Sequence, residues 1–509
     1  MPDGELASEG GGGELIGDLD GPLAVVDRSG AVAPVGVGWR VVWAVGAGDR
    51  WHVAAEEAAV RSGLIDDMPA TATLMRVPGG DVILRVAAGR AGPARAAVLE
   101  FVNDSPVAVN LAVGVAGYIR LAAVRGSRLL ADDRAVVELG RTPGGTAAVD
   151  DGDVWRAVRA EPSAGNCEAR SREGRAAAAA VIPLAPRVPL RVTAAGVESR
   201  SLGSPGGVGS PEEIAAGWRA VVERAAVVDL PDEAAARAWR RGIAASILAA
   251  GRTESSAAAV VHDRVGLAYG CTSLDWGCAA RAAVVLDRVG LPDEADRARG
   301  ALVAAAERSL LPPLVAAAAL RALASRRLRT GRVSGLAEWA GPLAEAAGDH
   351  LNPLTLEQVA AVLETEAPAA ARDARRLLAE ASPISVSRSV AGDELAGTAR
   401  RSVAFGGDGL DGVEALLHCL AAEAEDHLVI APTLPAEWTG APVDTSGLLT
   451  RHGALSFSVR WHGTRPALLW DLTPADRSAT AGPGDEVALR CGLDPSWTTS
   501  EPAGEVLLS

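Results

Sequence analysis

The feature that most constrains this chain is a double change in hydrophobic period. Residues from about 20 to 205 read with the two-residue period of strands, those from Ser210 to about 426 with the period of amphipathic helices, and the rest as strands again. Segments 37–45 (VGWRVVWAV), 81–88 (DVILRVAA), 95–102 (RAAVLEFV) and 107–115 (VAVNLAVGV) are short, rich in β-branched residues and bounded by Gly, Pro, Asn or Asp. Many short strands with turn signals between them imply a sandwich. A length of 509 residues exceeds one ordinary core. The expected division is a flexible, acidic, Gly-rich N-terminus (1–20), a β-sandwich (21–205), a helical domain (206–430) and a C-terminal β-strand region (431–509).

The helical stretch carries its own punctuation. Ser210, Pro211 and Glu213 spell a capping box, with the hydroxyl and the carboxylate each reaching the other's backbone N–H. A helix is expected from Asp232, with Trp239, Ile243, Ile247 and Leu248 on one face and a stop at Gly251. Another should run from Ser273 to Gly290. The phrase LPDEA at 291–295 echoes 230–234, which fits either a repeated hairpin unit or a shared start signal. Further helices are read near 313–329, 335–349, 354–366 and 368–381, and a last one near 411–425, opened by Asp411 and Glu414 as a capping box. Beyond it, Leu455, Phe457, Val459 and Trp461 alternate with Ser456, Ser458, Arg460 and His462, a strand with one buried face that should pair with 466–472.

Composition removes whole classes of chemistry. All 49 basic residues are arginine, a bias expected of a GC-rich coding sequence. Without lysine there is no Schiff-base nucleophile, no pyridoxal-phosphate site and no P-loop lysine. A net charge of −15 argues against a nucleic-acid partner. The first residues have neither a basic nor an apolar signal-peptide region, and the Ala-rich runs are broken by Arg and Glu, so no membrane segment is expected. Five scattered cysteines suit a reducing cytoplasm, and Cys271 with Cys278 lacks the further ligands of a zinc site; no metal and no cofactor are expected. Gly407, Gly409 and Gly412 match a dinucleotide-type glycine pattern, but Asp408 and Asp411 would repel a pyrophosphate, which favours a turning and capping role. Tryptophan, at twelve residues, outnumbers Phe101, Phe405, Phe457 and the two tyrosines together. An indole can stack on a sugar, yet for most of these twelve core packing is the stronger reading.

The most informative loop is 252–276, which gathers His262, Asp263, Tyr269 and Asp275 between two helices. The order of sandwich, helical hairpins and β-region resembles the six-hairpin glycosidases, whose helices form an (α/α)6 toroid. The segments that carry the resemblance are GDRWH (48–52), RVPGGDVILRV (76–86), VHDRVGLAYGCTSLDWGCAARAAVVLDRVG (261–290) and LPAEWTGAPVDTSGLLTRHGALSFSVRWHGTRPALLW (434–470). It implies a multidomain fold: an N-terminal antiparallel β-sandwich, an incomplete α/α-toroid-like helical domain and a C-terminal β-region. It also implies a glycoside hydrolase-like protein that acts on or binds an oligosaccharide. Asp275 stands where the family orients the sugar with an aspartate.

Hydrolysis needs two carboxylates, and the stretch 310–325, where the family carries an acid, has none. Asp275, Asp263 and Glu338 are the candidate catalytic carboxylates. His262, Tyr269, Trp276 and Trp339 are the candidate substrate contacts. Two alternatives stay open: a non-catalytic glycan-binding or protein-interaction pseudoenzyme, and a lyase-like toroid using Tyr269 and His262 for proton transfer. The sequence does not set the oligomeric state.

Overall fold

The structure, a computed structural model, describes residues 13–92, 94–196, 202–203, 205–251, 276–308, 310–330, 339, 342–343, 346, 392–404, 409–424, 427–474 and 487–509. These fall into two compact units, the first running to Arg219 and the second taking up the chain at Ala220.

The first unit is an antiparallel β-sandwich. One sheet has eight strands and the other nine. All four segments read as strands from the sequence are present, as Trp39–Gly46, Gly80–Ala91, Ala94–Asn103 and Val109–Gly117. Between the sheets lies one core, built from Val41, Trp43, Leu84, Val86, Leu99, Phe101, Leu111 and Val113 among others. Trp43 meets Phe101 edge-on at 5.7 Å and donates its indole N–H to the Ser29 carbonyl at 2.8 Å. Two hairpins turn on paired aspartates: Asp66–Asp67 and Asp132–Asp133 both have positive φ at each position, the conformation that a two-residue turn between twisted strands requires. A short helix not foreseen from the sequence, α1 (Val154–Arg159), lays Val154 and Val158 on the alanine-rich outer face of the eight-stranded sheet. It starts at Asp153, whose carboxylate accepts the Arg156 N–H.

Helix α2 (Pro211–Val222) follows, and the division between units falls inside it. The expected capping box is present: Ser210 N–H donates to Glu213 at 2.7 Å and Glu213 N–H to Ser210 Oγ at 3.2 Å. The second unit then begins with a strand, Val227–Asp229, inside the region read as helical; it pairs with Val443–Thr450. Helices α3 (Glu233–Ala250), α4 (Trp276–Arg288), α5 (Pro292–Glu307), α6 (Pro313–Thr330), α7 (Gly392–Ala404) and α8 (Leu410–Leu420) follow. The helices expected at 354–366 and 368–381 lie outside the described residues, as do most of those at 335–349. Asp232 caps α3, accepting the N–H groups of Ala234 and Ala235. The second LPDEA does not repeat that geometry. There Pro292 is the first helical residue, Leu291 stands at the cap, and Glu294 is buried against Arg224 at 3.0 Å. A proline that starts a helix and an aspartate that caps one have been used in two registers, so the echo is a shared start signal and not a structural repeat.

The last helix ends at Leu420, earlier than its apolar pattern suggests, and the chain turns at once into strands. One sheet of four strands combines Ala421–Glu423, His427–Ile430, Ala488–Cys491 and Asp494–Thr499, with the middle pair parallel. The other, of five strands, runs in the order Val227–Asp229, Val443–Thr450, Gly453–His462, Arg465–Pro474 and Ala503–Leu507, antiparallel throughout. The expected hairpin forms, with Leu455, Phe457 and Val459 buried. Trp461, expected on the same buried face, is only half-buried near the strand end.

Glycine sets how closely α3 and α8 approach. A methyl at Gly242 would collide with the Val413 side chain and sit 2.7 Å from the Gly409 carbonyl oxygen; Gly409, with φ +79°, presses on the backbone of Arg241 and Gly242. The glycines of the dinucleotide-like pattern that the structure describes thus serve a turn and a helix contact. In an ordinary helix interior Gly→Ala adds up to about 1 kcal/mol of stability. Here the clash reverses the sign: Gly242→Ala should lower the unfolding free energy by about 1–3 kcal/mol, read as a shift of the denaturant midpoint.

Candidate functional site

Helix α4 opens where sequence reasoning placed the site. Its first residue, Trp276, is 9% exposed, and Cys278, Ala279 and Ala280 after it are buried. His262, Asp263, Tyr269, Asp275 and Glu338 lie outside the described residues. Trp339 is half-buried, and the Arg326 guanidinium lies over its ring, 5.3 Å from the centroid.

Between one and two turns into α4, Arg281 reaches across to the start of α8. Its Nε lies 3.1 Å from both carboxylate oxygens of Glu414, and its Nη2 also bonds Asp411. These two acids therefore do not form the expected capping box: α8 starts from Gly409 with no side-chain cap, and both carboxylates turn to the guanidinium instead. A bidentate, charge-assisted pair outcompetes a single bond to a terminal N–H. Partial burial works against the Arg281 charge, but Glu414 and Asp411 outweigh it and hold the group more firmly charged than usual. Arg281, Glu414 and Asp411 are all partly exposed, so donors and acceptors stand together at an accessible helix start.

Deeper in the unit is an ionic network. Arg299 on α5 and Arg326 on α6 are each 1% exposed, and Asp287 on α4 is fully buried. Arg299 bonds Asp287 and, at 2.8 Å, Asp296; Arg326 grips Asp296 at 2.7 and 2.9 Å. The sequence signal for it was available. Arg299 falls on the buried stripe of α5 with Ala295, Ala298, Leu302, Val303 and Ala306, and Asp287 falls next to buried Leu286. A charge on the apolar stripe of a helix requires a partner. Arg299→Met would leave Asp287 buried without its guanidinium, and should cost about 3–5 kcal/mol of stability, measured by denaturant unfolding.

A fourth arginine, Arg400 on α7, binds Asp232 at 2.7 Å and Glu437 at 2.6 Å. Burial would raise the Asp232 carboxyl, but Arg400 and the α3 N–H groups overcome it and keep the group below the ordinary range. In the GDRWH segment, His52 lies between Asp49 at 3.0 Å and Glu57 at 3.1 Å, and Arg50 binds Glu57 at 2.6 Å, so its charges are spent within one turn. Among the described residues every carboxylate with a displaced titration is displaced downward: Asp49, Glu57, Asp151, Glu213, Asp232, Asp444 and Asp494. Burial pushes the Cys419 thiol up to about 12, which takes it out of nucleophilic chemistry. Among the described residues no group of three or more His, Cys, Asp or Glu is placed to hold a metal, and no helix is long and apolar enough to cross a membrane.

No protein-family model matches the chain, and no curated protein matches its sequence. Solved structures do match. A bacterial glucoamylase complexed with acarbose aligns at 9% identity over 74% of this chain and 66% of that one, with a TM-score of 0.48. A family GH92 alpha-mannosidase from Bacteroides thetaiotaomicron aligns at 11% identity over 70% of this chain and 57% of that one, with a TM-score of 0.27. The chain therefore spans less than two thirds of each.

Carboxylates with lowered titration stabilise the fold at pH values above their unfolded range, and that stability is lost as pH falls through the folded values. The melting temperature should fall between about pH 4 and about pH 2. Asp232→Asn should lower it at neutral pH and flatten the acid limb; thermal melts across that range check both.

Proposed function

We propose that this protein is a glycosidase-like carbohydrate binder whose working face lies at the start of α4, and that hydrolysis there is weak or absent. The observation that carries the reading is the cluster formed by Arg281, between one and two turns into that helix, with Asp411 and Glu414 at the start of α8. Asp275, which the family resemblance nominates as the sugar-orienting carboxylate, is covalently next to Trp276, the first residue of α4. Sugar hydroxyls both donate and accept, and a guanidinium set between carboxylates offers both partners. The same cluster is poorly suited to cleaving a glycosidic bond. A general acid must hold its proton near neutral pH, which requires a carboxyl in an apolar or like-charged setting. Asp411 and Glu414 stand against a guanidinium, which is neither an apolar nor a like-charged setting.

Calorimetry with a panel of oligosaccharides tests the reading. Asp275→Ala should weaken binding about ten- to hundredfold, the loss of one or two hydrogen bonds to a charged acceptor, while the melting temperature holds. Binding that Asp275→Ala leaves intact would move the site elsewhere. No binding to any sugar would remove the carbohydrate reading, and robust turnover would show that the chain does supply an acid.

A further inference from the structure

The GDRWH segment, which the proposed function leaves unused, closes a hairpin in the sandwich. Trp51–Val53 pairs antiparallel with Trp39–Gly46, and the chain then crosses to the nine-stranded sheet, which it enters at Val60. His52 is only 5% exposed in this hairpin, and each of its ring nitrogens faces a carboxylate. Nε2 lies 3.0 Å from Asp49 Oδ1, and Nδ1 lies 3.1 Å from Glu57 Oε1. A neutral imidazole carries one N–H; it donates to one of these oxygens and turns a lone pair to the other. The charged ring donates to both. The missing proton does not come from the acids. The bond to His52 is the main cause that holds the Asp49 carboxyl below the ordinary carboxylate range. Arg50, with His52 after it, does the same for Glu57 against the raising effect of burial.

The charges around the ring balance in the same state. Asp49 and Arg50 stand on the turn before Trp51–Val53, Glu56 and Glu57 on the connection after it, and Arg159 at the end of α1. Arg50 binds Glu57 at 2.6 Å and Arg159 binds Glu56 at 2.7 Å. Arg50 by itself opposes a second cation nearby, but three carboxylates meet only two guanidiniums, and a charged His52 makes the set neutral. The same hairpin carries Trp51, whose ring lies against Gly46 and packs on the outer cluster that Val154 and Val158 of α1 complete. We propose that His52 is a pH-operated clasp: the charged ring joins Asp49 to Glu57 and closes the hairpin, and loss of one ring proton releases one carboxylate and loosens residues 47–59. The sign differs at the two ends of the pH scale. In strong acid the clasp is lost as Asp49 and Glu57 take up protons; in weak acid it is closed; toward alkaline pH it opens as the ring gives up its second proton.

The test is NMR of the full chain labelled with ¹⁵N in histidine, from about pH 5.5 to about pH 9, beside amide hydrogen exchange of residues 47–59 corrected for its intrinsic pH dependence. His52→Gln identifies the His52 signals. Asp49→Ala, at an exposed position, leaves Glu57 as the one acceptor, which the neutral ring satisfies. At the acid end both ring nitrogens of His52 should carry protons. Over the range one proton should leave, and amide protection in 47–59 should fall about tenfold or more, the loss of one charge-assisted bond, while that of Val109–Gly117 in the same sheet holds. In Asp49→Ala the protection should no longer depend on pH. A His52 ring with one proton at every pH overturns the proposal, and so does a ring that keeps both. Protection that stays constant while the ring loses its proton, or that changes equally in Asp49→Ala, overturns it as well.

Discussion

The helical part of this protein depends on how it resolves buried charge. Arg299 and Arg326 sit at about the same depth as the leucines around them, and arginine cannot shed its proton to escape the cost of desolvation. Two aspartates, Asp287 and Asp296, must therefore meet them in fixed positions, which ties the registers of α4, α5 and α6 together. Alanine-rich helices need such a device. Ala279, Ala282 and Ala283 on α4 and Ala295 and Ala298 on α5 are all buried, and methyl groups alone discriminate poorly between one sliding position and the next. A planar fork that accepts only one carboxylate geometry discriminates well.

The same shortage of large side chains explains what tryptophan and glycine do here. Trp43 anchors the sandwich through Phe101 and the Ser29 carbonyl, Trp218 bonds the Gly17 carbonyl, and Trp470 meets Trp497 edge-on at 5.0 Å across the two C-terminal sheets. Each indole fills volume that several aliphatic residues would otherwise supply, and Trp43, Trp218 and Trp470 give their N–H groups to backbone carbonyls. Glycine works at the other extreme of size. Gly242 and Gly409 bring α3 and α8 closer than alanine would permit, and Gly504 makes room for the Trp470 ring.

Where the fold was legible, the signal was local. Ser210 with Glu213, Asp232 before its helix, and the alternation of Leu455, Phe457 and Val459 each act within a few residues, and each has the structure that its chemistry dictates. Where the reading failed, the deciding partner was distant in sequence. Asp411 and Glu414 have the spacing of a capping box, but Arg281, more than a hundred residues earlier, claims both. The strand Val227–Asp229 is too short to show a period and exists because Val443–Thr450 supplies an edge. Helix α1 is likewise too short for helical periodicity and is held by the alanine face beneath it. Of the residues nominated from the sequence for a site, only Trp276 and Trp339 lie among the described residues, and the pairing of Arg281 with Asp411 and Glu414 was not legible because a partly exposed arginine on an amphipathic helix carries no signal by itself.

The same charge chemistry recurs across the helical unit. With no lysine in the chain, a carboxylate paired with anything other than a histidine meets an arginine, which is charged at all working pH values. Lysine or histidine partners could release their protons and leave a carboxyl free to keep one; arginine cannot. Among the described residues of the helical unit, Glu294, Glu414, Asp287, Asp296 and Asp232 lie against Arg224, Arg281, Arg299, Arg326 and Arg400 respectively. Each of these pairs joins two different segments of the chain, so the same arginines that neutralise the acids also hold the elements of the second unit in register with one another.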